Sequence, residues 1–349
     1  MRPSRRVLME MISGLTVLGL ATFAFIAPRQ PGIGPLPSAP ANAVPQSPSA
    51  SRARMPAHGP VRDVESAPAQ RDSSQREPVN VTAIPPCDKP GGMGLSRIVQ
   101  IDTTGGPEFG FQHFKGYDFL GDKEVVLTFD DGPWPGNTAA VLKALNDQCL
   151  KATFFEIGKH ASWHPEITRK VIEAGMTVGT HTWSHKDLAR KPYAKDIERA
   201  EQEIELGNSA VHAAAAGADI APFFRFPDLL ETRPELEYLA KRNVAIFSTD
   251  IDSRDFAAHK PEQVIKSVMT QLAKRGKGII LLHDFHRNTA QALPELLRQL
   301  KDNGYKVVHM VPKAPLTTIS TYDDMLKQDE RLSSNNSRLE RNVVSAVAR

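Results

Sequence analysis

The chain has 349 residues, enough for one large domain or two small ones. Hydrophobic residues make up 40% and charged residues 24%, the balance of an ordinary soluble globular protein. The net charge of +3 arises in the first 86 residues, where nine Arg face five acids; a basic excess outside the folded part is no footprint for nucleic acid, which is excluded as a partner. Taken in chain order, Arg2, Arg5 and Arg6 precede an uncharged run from Met11 to Ala27, so residues 1–27 predict a signal peptide or a membrane anchor. The run exceeds a usual signal core and just reaches the lower limit of a spanning helix, and an Ala-x-Ala site at Ala41 and Ala43 lies well beyond it. Both readings fit, and both place the protein in the periplasm, on the cell envelope or outside the cell. Residues 28–86 hold thirteen of the 27 prolines, with many Ala, Ser and Gln, and predict a disordered linker. Residues 87–122 read as a lead-in segment. Cys87 and Cys149 fit either one disulfide or two separate thiols, and their spacing is not that of a zinc finger.

From residue 123 to residue 312, short β-branched or aromatic runs alternate with segments of helical period. Strands are expected at 125–129, 152–157, 176–180, 222–226, 244–249, 278–282 and 306–309. Helices are expected at 138–147, 165–174, 194–213, 233–242, 261–274 and 290–302. Gly175 and Asn303-Gly304 stand where helices end, and Pro165 and Pro261 where they begin. Strand–helix–strand alternation means parallel strands with crossover helices. About seven such units in roughly 190 residues is short for a complete eightfold barrel, so the expectation is a distorted or incomplete (β/α) barrel, with an open doubly wound sheet second. Residues 313–349 read as a polar tail, with a short helix near 323–331.

Polar residues fall where the strands end. Asp130 and Asp131 follow the first, His181 and His185 the third, and Arg225 stands at the fourth. Asp250, Asp252 and Asp255 follow the fifth, His283 and Asp284 the sixth. In barrels and open α/β sheets ligands sit at the carboxyl ends of strands, so these residues are expected to converge on one cleft. An isolated H-x-x-x-H is more often two unrelated surface histidines. A carboxylate on the same rim, from Asp130 or Asp131, turns it into a two-His, one-carboxylate set with positions left for water. Successive residues leaving a strand point in different directions, so one acid can bind metal while its neighbour faces the bound water. His283 suits a general acid, a carboxylate of the 250–255 cluster would orient its ring, and Arg225 can pair with a carboxylate.

The motifs TFDDGP, HTWSH, the RFP of FFRFP, SRDF and LLHD, in this order, resemble those of the NodB-like polysaccharide deacetylases, carbohydrate esterase family 4. The likeness runs from about residue 123 to 312. It implies a distorted barrel and metal-dependent removal of acetyl groups from carbohydrate. It gives Asp130 as the base, Asp131, His181 and His185 as ligands of a divalent metal (Zn²⁺ first, Co²⁺ second), and Arg225 as the residue holding Asp130. It gives His283 as the general acid with Asp255 orienting it. Leu281 would help line the acetyl pocket, and the backbone N–H of Asp228 would help hold the oxyanion. Two positions depart from the family. Phe256 stands where Trp is usual, and Asp228 where Tyr or Gly is common; both bear on substrate choice. His286 has no role in the resemblance and reads as a surface residue. The expected activity is N-deacetylation of peptidoglycan, chitin oligomers or exopolysaccharide. An O-acetyl esterase with the same site and a non-catalytic carbohydrate-binding descendant are the alternatives, and an iron oxygenase, which two His and a carboxylate would also suit, finds no other support.

Overall fold

The computed structural model describes residue 84 and residues 86–328. The expected signal or anchor at 1–27, nearly all of the linker and the end of the tail lie outside the described residues. Among those described, no helix is long and apolar enough to cross a membrane.

The fold is a sheet of ten parallel strands flanked by helices. In chain order the elements are β1 (Leu95–Ile101), β2 (Glu108–Phe109), β3 (Glu124–Asp130), α1 (Asn137–Asp147), β4 (Thr153–Glu156), α2 (Gly158–Trp163), α3 (Pro165–Glu173) and β5 (Thr177–Thr180). There follow α4 (Ile197–Ala214), β6 (Phe223–Phe224), α5 (Arg233–Lys241), β7 (Ala245–Phe247), β8 (Ile251–Asp252), α6 (Pro261–Arg275), β9 (Gly278–His283), α7 (Arg287–Asp302) and β10 (Lys306–Pro312). Residues 320–328 are helical, starting three residues before the helix expected in the tail.

β3 is the hub, a seven-residue β-branched and aromatic run buried almost throughout, as a parallel strand covered on both faces should be. One of its edges pairs with β9 from Val125 to Asp130. Its first two residues pair with β10 and its last three with β4. The sheet continues from β4 through β5, β6 and β7 to β2, while β8 lies beside β9 and β1 beside β10. Among the described residues no ladder joins β2 to β8, so the barrel is open. The expected class is therefore the observed one, with three strands and one helix more than the sequence indicated. β2, β8 and α2 are too short to establish a period. β1 carries Ser96, Arg97 and Gln100 among its apolar residues and pairs with a single neighbour, β10.

Strand alternation divides the core. Val125, Leu127 and Phe129 pack outward against the helices, in one cluster with Leu145, Leu293 and Leu297. Val126 faces inward, in a second cluster with Phe155, Phe223, Phe247 and Ile279. Two residues further along each inward face lie polar groups: Thr128 and then Asp130 after Val126, and Arg225 after Phe223. The barrel interior is thus apolar below and polar toward the carboxyl ends of its strands. Gly179 is required in this interior, because a Cβ there would lie 2.5 Å from the Phe223 carbonyl and 3.2 Å from the Phe155 ring. Cys87 and Cys149 form a disulfide that ties the start of the described chain to the end of α1.

Candidate active site

Asp130 is the last residue of β3 and is 2% exposed. Its Oδ1 accepts a hydrogen bond of 2.7 Å from Arg225 Nη1. Arg225 is fully buried, and its surroundings accept hydrogen bonds from four of its five guanidinium N–H groups. Nη1 also donates to Thr128 Oγ1 at 2.7 Å, Nε to the Phe247 carbonyl at 3.2 Å and Nη2 to the Ser248 carbonyl at 3.0 Å. The plane lies 4.4 Å from the Phe155 ring centroid. Thr128, Ser248 and Phe247 were invisible to sequence reasoning as site residues; only the inward alternation of β3 points to Thr128.

Asp131 follows in a left-handed conformation, φ 71°, which swings its side chain away from that of Asp130. Its carbonyl accepts from His160 Nδ1 at 2.7 Å, another contact the sequence did not reveal. Its Oδ1 lies 3.5 Å from His181 Nε2 and 3.3 Å from His185 Nε2. The two histidines come from a turn after β5, not from a helix, and both Thr182 and His185 have positive φ. Non-glycine residues in this region cost of order 1–3 kcal/mol each, and such strain gathers at functional sites.

His181 is buried, and its Nδ1–H donates to the Arg225 carbonyl at 2.6 Å, which leaves the Nε2 lone pair toward Asp131. Burial, outweighing the pull of Asp130 and Asp131, lowers this imidazole to about 4, so the ring is neutral at pH 7 as a metal ligand must be. Burial raises the Asp131 carboxyl, but the nearby histidines, the charged His283 foremost, override it and hold the group below its ordinary range.

These residues fit a divalent ion. Donor atoms of Asp131, His181 and His185 lie within 4.8 Å of one another. Two ligands each about 2.0–2.1 Å from a tetrahedral Zn²⁺ stand about 3.3 Å apart, close to the separations found. Asp131 Oδ1 is buried with no hydrogen-bond partner, an orphan that a cation would satisfy. Asp255, His283 and His286 form a second group of the same compactness. There both Asp255 oxygens already accept hydrogen bonds, so too few free donors remain.

Opposite the ligand set, His283 Nδ1–H donates to Asp255 Oδ1 at 2.7 Å. Asp255 Oδ2 accepts from the His283 backbone at 2.8 Å and from Thr289 Oγ1 at 2.5 Å. Burial opposes charge on His283, but the bond to Asp255 and the charges of Asp255, Asp131 and Asp130 override it and raise the ring to about 10. Thr289, on the first turn of α7, carried no sequence signal.

One cavity of about 370 Å³ gathers these groups. Asp130, Asp131, His181, His185 and His283 line it together with Asp228, Phe256 and Leu281. Arg225 and Asp255 stand behind the wall. All ten expected site residues thus meet, together with Asp252 and with Gln112 from the lead-in segment, where nothing in the sequence marked it. Asp250 does not join them. Its oxygens accept from the Phe111 and Ile279 backbones at 2.7 Å, facing a separate cavity. Asp284 is buried, accepting from Thr138 Oγ1 at 2.5 Å. His286, expected on the surface, instead lines the cavity, its ring 5.6 Å from that of His283, because the chain folds back there to start α7.

The chain is similar to known proteins of one kind. Residues 119–244 match the family model for polysaccharide deacetylase. The chain is 30% identical over 208 residues to the peptidoglycan-N-acetylmuramic acid deacetylase PdaC of Bacillus subtilis (strain 168), covering 60% of this chain but only 40% of that protein. It is 30% identical over 210 residues to the chitooligosaccharide deacetylase of Bradyrhizobium sp. (strain ANU 289), covering 56% of this chain and 92% of that protein. Among solved structures, the Bdellovibrio bacteriovorus peptidoglycan deacetylase Bd3279 superposes with a TM-score of 0.55 at 30% identity, over 62% of this chain and 59% of that one.

Proposed function

Since this chain belongs to the polysaccharide deacetylase family, we propose that it is an exported, metal-dependent hydrolase that removes N-acetyl groups from N-acetylglucosamine-containing polysaccharide. Asp131, His181 and His185 would hold the ion, Zn²⁺ or Co²⁺. Bound there, it would supply Lewis acidity, lowering the pKa of a water and polarising the acetyl carbonyl. Asp130, fixed through one oxygen by Arg225, takes the proton of the attacking water as that water's oxygen bonds to the carbonyl carbon. The backbone N–H of Asp228 donates to the oxyanion that forms. Phe256 and Leu281 border the acetyl group and limit its orientations. His283, protonated at neutral pH through its bond to Asp255, gives its Nε2 proton to the departing nitrogen as the carbon–nitrogen bond breaks. The products are acetate and a free amine.

The observation that carries this reading is the pairing, across one cavity, of a carboxylate clamped by a buried arginine with an imidazolium clamped by a buried aspartate. The test is acetate release by the full chain from N-acetylglucosamine oligomers and from peptidoglycan. Release should stop with a chelator and return with Zn²⁺ or Co²⁺. No acetate from either polymer with metal bound would overturn the proposal.

A further inference from the structure

The active-site cavity continues past the ligand set into a second hollow of about 280 Å³, and the two share Asp131 and His185. The far hollow is bordered by Lys159, His160, Trp163 and Phe285. Its wall is aromatic and open. Trp163 is 60% exposed, its ring lies 5.3 Å from that of His160, and the His160 ring stacks at 6.0 Å on Phe285. An exposed indole beside a polar cleft suits the apolar face of a sugar ring. Lys159 is half-buried where it lines the hollow, its Nζ 5.8 Å from the Trp183 ring centroid, and among the described residues it has no acidic partner. Asp228 and Asp252 border the first cavity and do not line the second.

An ammonium lining a hollow without an acidic neighbour leaves its charge for an incoming anion to pair with. A polymer of neutral sugars has none to offer. We infer that the second hollow is a subsite for a sugar bearing a carboxylate, next to the sugar that is deacetylated, and that the substrate is an anionic glycan of the kind left when peptidoglycan loses its stem peptides, in which the free lactyl carboxylate carries the charge. Asp228 and Asp252, which border the first cavity alone, disfavour the same carboxylate there, so the two hollows together set the direction in which the strand lies. This rests on the deacetylase reading above.

Three substrates test it with the metal-loaded full chain: peptide-free glycan strands of peptidoglycan, the same strands with their lactyl carboxyls converted to methylamides, and the N-acetylglucosamine hexamer. For the unaltered protein, amidation should lower kcat/KM for acetate release about tenfold, the effect of one charge-assisted contact. Lys159→Gln, its folding checked by thermal melting, should lose about the same factor on the native strands and become indifferent to amidation. Trp163→Ala should weaken turnover of native and amidated strands alike. The inference is overturned if amidation leaves the unaltered protein unaffected, or if Lys159→Gln keeps its preference for the native strands. If no polymer yields acetate, the deacetylase reading fails by itself. Calorimetric binding of native against amidated strands, with and without Lys159→Gln, then still decides the subsite.

Discussion

Asp130 and Asp131 are neighbours in sequence and differ in nearly every contact. The first ends a strand and faces Arg225; the second sits at φ 71° and faces two histidines. Their mutual repulsion is relieved by a guanidinium for one and, in the proposed function, by the bound metal for the other. In Asp130→Asn the amide oxygen still accepts from Arg225 but takes no proton. Turnover should fall by about 10²–10⁴ while bound zinc, measured by elemental analysis, is retained. Loss of zinc in that variant would instead exchange the proposed roles of the two acids. In the proposed reaction Asp255 acts through His283, which makes it a positioning residue. Its hydrogen bond and charge, with the charges of Asp131 and Asp130, raise His283 to about 10, and the proposed acid must be protonated to work. In Asp255→Asn the imidazole should fall toward its ordinary value, and the alkaline limb of kcat should move to lower pH by at least about one unit. An unmoved limb would show that His283 is not the acid being titrated.

At the scale of elements, strand alternation does most of the assembly. β3 pairs directly with β9, which sets Asp130 level with His283, and Arg225 follows β6, two strands further round past β4 and β5; the period of two turns all three to the inner face, the convergence expected from the sequence pattern. The histidine turn is different. Its position depends on α4, which passes so close that a Cβ on Gly207 would lie 2.5 Å from the Thr182 carbonyl carbon and 2.8 Å from the Trp183 nitrogen. Helical propensity alone would favour Ala at this position by about 1 kcal/mol. Because backbone cannot yield as a side-chain tip does, Gly207→Ala should instead destabilise the protein by about 1–3 kcal/mol and weaken zinc retention, as His181 and His185 are displaced together. Increased stability in denaturant unfolding would refute this account of the turn. Nothing in the sequence signalled that contact, since a glycine within a helical pattern carries no information about what approaches it.

At the scale of the described protein, the interior holds ionisable groups that the proposed reaction does not use. Glu156 is fully buried, accepts from Thr168 Oγ1 at 2.7 Å, and is raised by burial to about 8; Asp284 is raised by burial to about 7. A carboxyl raised in the folded state binds more protons there than in the unfolded chain. The stability this confers is complete below about pH 4.5 and lost as pH rises through about 8. Glu156→Gln does not titrate, so between about pH 5 and about pH 8 the unaltered protein should lose on the order of 3 kcal/mol relative to that variant in urea unfolding. Parallel stability curves would mean that Glu156 is not the group responsible. The sequence by itself determined the class of fold, because alternating periods of two and 3.6 admit few arrangements. It also indicated that Asp130, Asp131, His181, His185, Arg225, Asp255 and His283 would come together, because polar groups at successive strand ends have one rim on which to meet. Only the tertiary structure decided what surrounds them. The carbonyl partners of Arg225, the threonine behind Asp255, the turn that sets His181 and His185, and the place of Gln112 and His286 in the cavity all come from chain segments far apart in sequence or too short to show a period. Their meeting depends on three-dimensional packing, which no local pattern records.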